Sequence, residues 1–158
     1  MAAIKPCLWF DGAALEAAEF YVSVFPGSRV TSISLGPVDW PGGRAGDVLM
    51  VEFRLAGRDH QALNGGPYTA FNESISLSVT CDGQAEVDRV WRALLEDGGA
   101  EMQCGWLRDR FGLRWQIVPA AMEDMLRNAD PDRLSRVMSA MMTMVKLDEA
   151  ALKRAHDG

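Results

Sequence analysis

The sequence predicts an α+β fold in which one order of elements, strand, helix and three strands, occurs twice before a helical tail. Three observations carry this reading. An Asp-Gly pair separates a short apolar run from an amphipathic helix at Asp11-Gly12 and again at Asp82-Gly83, 71 residues apart. Strand-like alternation follows each helix. From Ala120 onward the apolar spacing is helical throughout. Each half then has one helix to cover four strands, so the other sheet face needs a different partner. Pairing two such halves curves mixed sheets around a shared cleft.

Ile4 to Phe10 is the first apolar run, and the Asp11-Gly12 turn ends it. Ala13 to Phe25 reads as a helix. Ala14, Ala17, Ala18, Tyr21 and Phe25 share one face, Glu16, Glu19 and Ser23 the other, and Pro26-Gly27 stops it. Val30 to Leu35 is a strand candidate. Residues 36–46 form a loop, since they hold Trp40 among two prolines and four glycines. In Val48 to Leu55, Leu49, Val51, Phe53 and Leu55 alternate against Met50, Glu52 and Arg54. Gly57-Arg58 turns the chain, and Asp59 to Asn64 returns it to Gly65-Gly66-Pro67.

The second half begins with Ile75, Leu77 and Val79 alternating against Ser74, Ser76 and Ser78. That serine face serves a cavity or bulk water equally well. A helix follows, with Val87, Val90, Trp91, Leu94 and Leu95 on its apolar face, and Gly98-Gly99 ends it. A short strand at Glu101 to Met102 precedes a hairpin from Cys104 to Pro119 that turns through Arg110-Phe111-Gly112. Trp115 and Ile117 face one way on it, and Arg114, Gln116 and Val118 the other. The expected divisions are a first module over about residues 1–67, a second over 72–119 and a tail over 120–158, all within one domain. In the tail, Asp130-Pro131 is a cap and first-turn pair, and Asp148 caps a last helix over Glu149 to Ala155.

At 158 residues the chain is long enough to bury roughly 70% of its unfolded surface. Its net charge of −6 and pI near 4.9 argue against binding a nucleic-acid backbone, which needs clustered Lys and Arg. No apolar run approaches the roughly 20 residues that cross a bilayer, and no signal-like apolar core stands at the start, so no membrane partner and a cytoplasmic location are expected. Cys7, Cys81 and Cys104 form no C-x-x-C pair, and His60 and His156 lie far apart, which speaks against a zinc site.

Several stretches carry a more specific signal: Phe10-Asp-Gly-Ala-Ala-Leu-Glu-Ala-Ala-Glu-Phe-Tyr21, Ala62-Leu-Asn-Gly-Gly-Pro67, Ser74-Ile-Ser-Leu, Val87-Asp-Arg-Val-Trp91, Cys104-Gly-Trp-Leu-Arg-Asp-Arg-Phe-Gly112 and Trp115-Gln-Ile-Val-Pro119, with the Met-rich tail before Lys146-Leu-Asp148. With these the chain resembles the vicinal oxygen chelate superfamily of glyoxalases, bleomycin-resistance proteins and extradiol dioxygenases. Within it the likeness is to the PhnB-like group, named for demethylubiquinone methyltransferase. The resemblance implies paired βαβββ modules and a homodimer. It also implies that metal-using members place ligands on the first and last strands of each module. Those positions fall near Pro6, near Gln61 (His60 with a one-residue slip), on Ser74 and on Gln116. Proline has no side-chain donor, and Ser74 and Gln116 are neutral oxygen donors, whereas a divalent cation needs carboxylates, imidazoles or thiolates to offset its dehydration.

The expected site is therefore a small-molecule pocket with neither metal nor cofactor. Gln61, Asn64, Ser74, Ser76 and Gln116 supply neutral hydrogen bonds, and Leu8 and Phe10 supply apolar walls. The same residues would serve equally to satisfy buried backbone or to face water. The alternative is a metal-dependent lyase, isomerase or dioxygenase of glyoxalase type using His60 or Glu52. Glu52 reads either as a buried general base or as a surface carboxylate beside Arg54. Asp109 reads as an anchor for the hairpin turn or, with Arg110, as a contact for an anion. Trp40 is a loop anchor or a ligand cap, and His60 an exposed strand residue. The six tail methionines read as core or dimer packing. Gly65-Gly66-Pro67 lacks the context of a phosphate loop, and nothing in the residues supports methyl transfer, since no doubly wound sheet with a glycine-rich first loop is predicted.

Overall fold

The computed structural model describes residues 2–128 and 130–158. The chain divides into two compact units, one ending at Phe71 and one beginning at Asn72. The first contains β1 (Cys7–Phe10), α1 (Ala14–Val24), β2 (Arg29–Leu35), β3 (Val48–Leu55) and β4 (Arg58–Asn64). Its sheet runs β1-β4-β3-β2, with β1 parallel to β4 and the other neighbours antiparallel. The second contains β5 (Leu77–Cys81), α2 (Gln84–Leu95), β6 (Ala100–Glu101), β7 (Trp106–Arg108) and β8 (Arg114–Pro119). Its sheet runs β5-β8-β7-β6, and β5 is parallel to β8. Strand order and parallel closure both repeat, so the two units carry the same βαβββ module. The repeated Asp-Gly turns agree to the degree: Gly12 and Gly83 both sit at φ +82°, a conformation that costs a residue with a Cβ.

In the first unit α1 packs on β3 and β4. Ala14, Ala17, Ala18, Tyr21 and Val24 are its buried residues, and the small alanines let the helix lie close to Val51, Phe53 and Ala62, all essentially inaccessible. The helix begins without a local side-chain cap, because Ala13 occupies that position. Asn64, at the end of β4, supplies it: Oδ1 accepts from the Ala14 N–H at 2.9 Å, and Nδ2 donates to the Val48 carbonyl at 2.9 Å. One buried amide thus ties helix, β3 and β4 together.

In the second unit Val87, Val90, Trp91 and Leu94 of α2 are buried, and so are Leu107, Trp115 and Ile117 on the strands beneath. The hairpin turn is held by Asp109, which is 1% exposed. Its Oδ1 accepts from the N–H groups of Phe111 and Leu113, and its Oδ2 from the Trp115 indole at 2.8 Å. The turn-anchor reading of Asp109 describes these contacts.

The tail forms α3 (Ala120–Asn128), α4 (Pro131–Met141) and α5 (Glu149–Asp157). Asp130 accepts from the N–H groups of Asp132 and Arg133 at 3.0 Å each, and Asp148 from Ala151 at 2.7 Å. Met122, Val137, Leu147 and Leu152 make a core of their own, with Val118, Met125, Met141 and Met144 against it. Four of the six tail methionines therefore pack inward, while Met142 is 61% exposed. The link before α5 also grips the module: Met144 and Val145 carbonyls accept from the N–H groups of Cys104 and Gly105, and the Leu147 carbonyl accepts from Gln84. Among the described residues no helix is long and apolar enough to cross a membrane.

Three expectations are corrected. Ser74 lies in a turn ahead of β5, where its N–H and hydroxyl both donate to Asn72 Oδ1; the strand starts only at Leu77 because only from there does it pair with β8. His60 is buried, not exposed. It stacks on Phe53 at 5.4 Å and donates from Nδ1 to the Arg58 carbonyl. Leu8 and Phe10, 3% and 4% exposed, share the α1-covered face of the first sheet with Ala62 and Asn64, their register partners. They build the core and line no open surface.

Replacing Asn64 by Ala is expected to lower unfolding free energy by about 1–3 kcal/mol, because a helix N-terminus and a buried carbonyl both lose their partner. Urea unfolding of the whole chain would measure the loss, and an unchanged midpoint would contradict the tie described.

Candidate functional site

With one helix per module, one face of each half-sheet is covered and the other carries the alternate residues of every strand. Register identifies which residues share a row on that second face. In the first unit Cys7, Gln61, Glu52 and Ser32 stand side by side on β1, β4, β3 and β2. The next row holds Trp9, Leu63, Met50 and Ser34. In the second unit Ser78, Gln116 and Trp106 stand side by side on β5, β8 and β7. Cross-strand neighbours of this kind lie about 5 Å apart at Cβ.

Because Phe10 pairs with Asn64 and Cys81 with Pro119 at corresponding strand ends, Gln61 and Gln116 are equivalent residues of the two modules, and so are Cys7 and Ser78. The register pairs the two expected glutamines with Cys7 and Ser78, one residue past Pro6 and four past Ser74, and sets Trp106 beside Gln116.

Both glutamine amides are held by neighbours in their own module. Gln61 Nε2 donates to Glu52 Oε1 at 3.2 Å, and Gln116 Nε2 donates to Ser76 Oγ at 2.8 Å. A carboxylate accepts only, so the Gln61 amide can be oriented one way alone. In each case the carbonyl Oε1 has no protein partner among the described residues. Ser76 thus joins the open face through Gln116.

The charges here are paired. Lys5 Nζ lies 3.1 Å from Glu52 Oε1, and this hydrogen bond, with that from Gln61, holds the Glu52 carboxyl below the ordinary glutamate range. A base poised near neutrality would need the opposite shift. Arg114 meets Glu73 at 2.5 Å, and its hydrogen bond lowers the Glu73 carboxyl likewise. Cys7 is exposed, and desolvation by its surroundings pushes its thiol up from the ordinary value. The row positions equivalent to metal-ligand strands therefore offer a protonated thiol, a hydroxyl and two amides. Among the described residues no three His, Cys, Asp or Glu side chains gather as a metal-holding group. These donors do not fit a divalent cation.

The tryptophans divide by role. Trp40 Nε1 donates to the Asn64 carbonyl at 2.7 Å and Trp9 Nε1 to the Gly66 carbonyl at 2.8 Å. The Trp40 ring fills the space beside Gly36 and Gly43, where an added Cβ would come within 2.1 and 2.6 Å of it. Gly65 is needed in the same way, with its missing Cβ 2.2 Å from the Trp9 ring. The Gly65-Gly66 stretch is thus pinned by two indoles, and Trp40 is a loop anchor. Trp106, half-buried beside Gln116, has an indole N–H with no partner among the described residues.

Paired βαβββ modules, each with a parallel closing pair and one uncovered face, define the vicinal oxygen chelate class. Residues 2–118 match the family described as 3-demethylubiquinone-9 3-methyltransferase, and the chain belongs to this PhnB-like family. Among solved structures it is similar to a PhnB protein from Bacillus cereus named for that methyltransferase, at 33% identity and a TM-score of 0.67, over 75% of this chain and 100% of that one. It is also similar in fold to protein PA1353 from Pseudomonas aeruginosa, at 24% identity and a TM-score of 0.61, over 75% of this chain and 98% of that one. No curated protein matches.

Since a hydrogen-bonded ammonium lowers the Glu52 pKa, the ionised carboxylate is favoured in the folded chain, and that contribution is present above the unfolded pKa and lost as pH falls through the folded one. Carbon-detected titration is expected to find Glu52 ionising below the ordinary glutamate range, and to find it returned toward that range in Lys5→Met. Equal midpoints in both proteins would refute the pairing.

Proposed function

We propose that this protein binds a small, uncharged organic molecule on the open faces of its half-sheets, without a metal ion. The observation that supports this best is the state of Gln61 and Gln116. Each stands where a metal-using relative would carry a ligand, each is neutral, and each donates from its amide nitrogen to a neighbour, which leaves its carbonyl oxygen without a protein partner among the described residues. Apolar and aromatic surface lies alongside, from Trp9, Met50 and Leu63 in one unit and Trp106 in the other. A mostly apolar lining with a few fixed polar groups suits a small organic ligand. A cytoplasmic location and a pair of identical chains are part of the proposal, the second of them from the family reading.

The methyl transfer in the family's name draws no support from these residues. Neither half-sheet is a doubly wound parallel sheet with a glycine-rich first turn, the architecture that suits nucleotide-like cofactors. A glyoxalase-type metal enzyme is the competing reading, with His60 or Glu52 as ligand or base. Against it, His60 is turned into the helix-covered core and Glu52 is committed to Lys5.

Native mass spectrometry of freshly purified protein is expected to show a dimer with no stoichiometric metal and with a small organic molecule retained on part of the population. Thermal melting with and without a chelator is expected to give one midpoint. A stoichiometric transition metal, or a chelator-induced fall in Tm reversed by one metal, would decide for the metal enzyme.

A further inference from the structure

The row Ser78–Gln116–Trp106 specifies more than a neutral surface. Three adjacent strands bring these side chains to one level of the uncovered face, and their unused hydrogen-bonding groups are of both kinds. The Gln116 amide gives one hydrogen to Ser76, which leaves its carbonyl oxygen as an acceptor and its second amide hydrogen as a donor. The Trp106 indole adds a fixed donor with no acceptor character and an aromatic face beside it. Ser78, exposed on the far side of Gln116, contributes a hydroxyl that turns to suit.

The row is bounded at both ends. Toward the end of β8, the next residues on this face are Thr80 and Val118. Thr80 Oγ1 donates to Glu123 of α3 at 2.5 Å, and Val118 packs into the tail core. Toward its start, the next position on β8 is Arg114, neutralised by Glu73. Arg114's register partner Arg108 is exposed, so a cation does stand at that margin.

We propose that this row recognises a carboxamide or lactam edge carried on a flat apolar body. The ligand's N–H donates to Gln116 Oε1, its carbonyl accepts from the Trp106 indole or the Gln116 amide, and its body lies on the Trp106 ring. An amide matches an amide because each offers one donor and one acceptor. A carboxylate of the same shape has no donor for Gln116 Oε1 and leaves that oxygen facing negative charge. The assignment rests on the small-molecule reading above and narrows it to a ligand class.

The test uses the whole chain labelled at tryptophan indole nitrogen, titrated with benzamide and, separately, with benzoate. Trp106→Phe identifies the Trp106 N–H signal, and the other four indoles of the five-tryptophan chain report whether each variant keeps its fold. Benzamide is expected to shift the Trp106 signal saturably at millimolar concentration. Benzoate is expected to bind at least tenfold more weakly, and Gln116→Leu to weaken benzamide tenfold or more. Should Gln116→Leu misfold, Ser76→Ala and the benzamide-to-benzoate ratio in the unaltered protein carry the decision: release of the Gln116 amide is expected to cut that ratio at least threefold.

The absence of a saturable shift, equal binding of benzoate through Arg108, or an unchanged affinity in Gln116→Leu would each overturn the amide assignment. A retained ligand without an amide, found by mass spectrometry, would overturn this assignment and leave small-molecule binding standing. An empty protein that binds neither probe would remove both.

Discussion

Everything in this molecule stems from the need to close each half-sheet with a parallel pair. A parallel neighbour cannot be reached by a hairpin, so the chain leaves β1, crosses through α1, and lays down two antiparallel strands before β4 returns beside β1. The second module does the same from β5 to β8. One crossover yields one helix, and one helix covers one face. The residues of alternate parity on the other face are released from core packing, and in both modules the equivalent closing-strand residue there is a glutamine.

In the two glutamine rows the charged neighbours are paired, although Arg108 stands exposed at the margin of the second. The chain carries 22 acidic and 16 basic residues, so charge was available. Where a carboxylate does stand in a row, as Glu52 does, an ammonium and an amide occupy it. Where a guanidinium stands, as Arg114 does, Glu73 meets it. Such half-exposed pairs contribute little to stability, and their effect is on what the surface can recognise. The glutamine rows themselves therefore offer neutral amides and hydroxyls, with the carboxylate of Glu52 already engaged.

Element order was legible because it rests on local signals: an Asp-Gly turn, a 3.6-residue spacing, a two-residue alternation. Facing direction was legible only where a strand alternates in composition. Trp115 and Ile117 against Gln116 and Val118 could be assigned to faces, and the hairpin bears that out. Cys7-Leu8-Trp9-Phe10 is apolar at both parities, so either pair could have been core, and the structure buries Leu8 and Phe10. Ser74, Ser76 and Ser78 have one parity and one residue type, so only pairing with β8 tells where the strand begins. The role of Asn64 was hidden for another reason: the helix it caps starts 50 residues earlier, and no window along the sequence spans that distance.

The span shared with the family stops at residue 118, one position before β8 ends and α3 begins without an intervening loop. The helical tail past that point is no appendage. Leu147 fills the space at Gly105, with its Cγ 2.8 Å from where a Cβ would stand, and Met144 and Val145 take the hydrogen bonds of a turn whose Cys104 sits at φ +61°. The module holds the same turn from its other side, where the Gly105 carbonyl accepts from the Ile117 N–H at 2.8 Å and the Trp106 carbonyl from Met102 at 2.9 Å. In this chain the stretch common to the relatives therefore contains a turn whose hydrogen bonds and packing are completed from beyond its end.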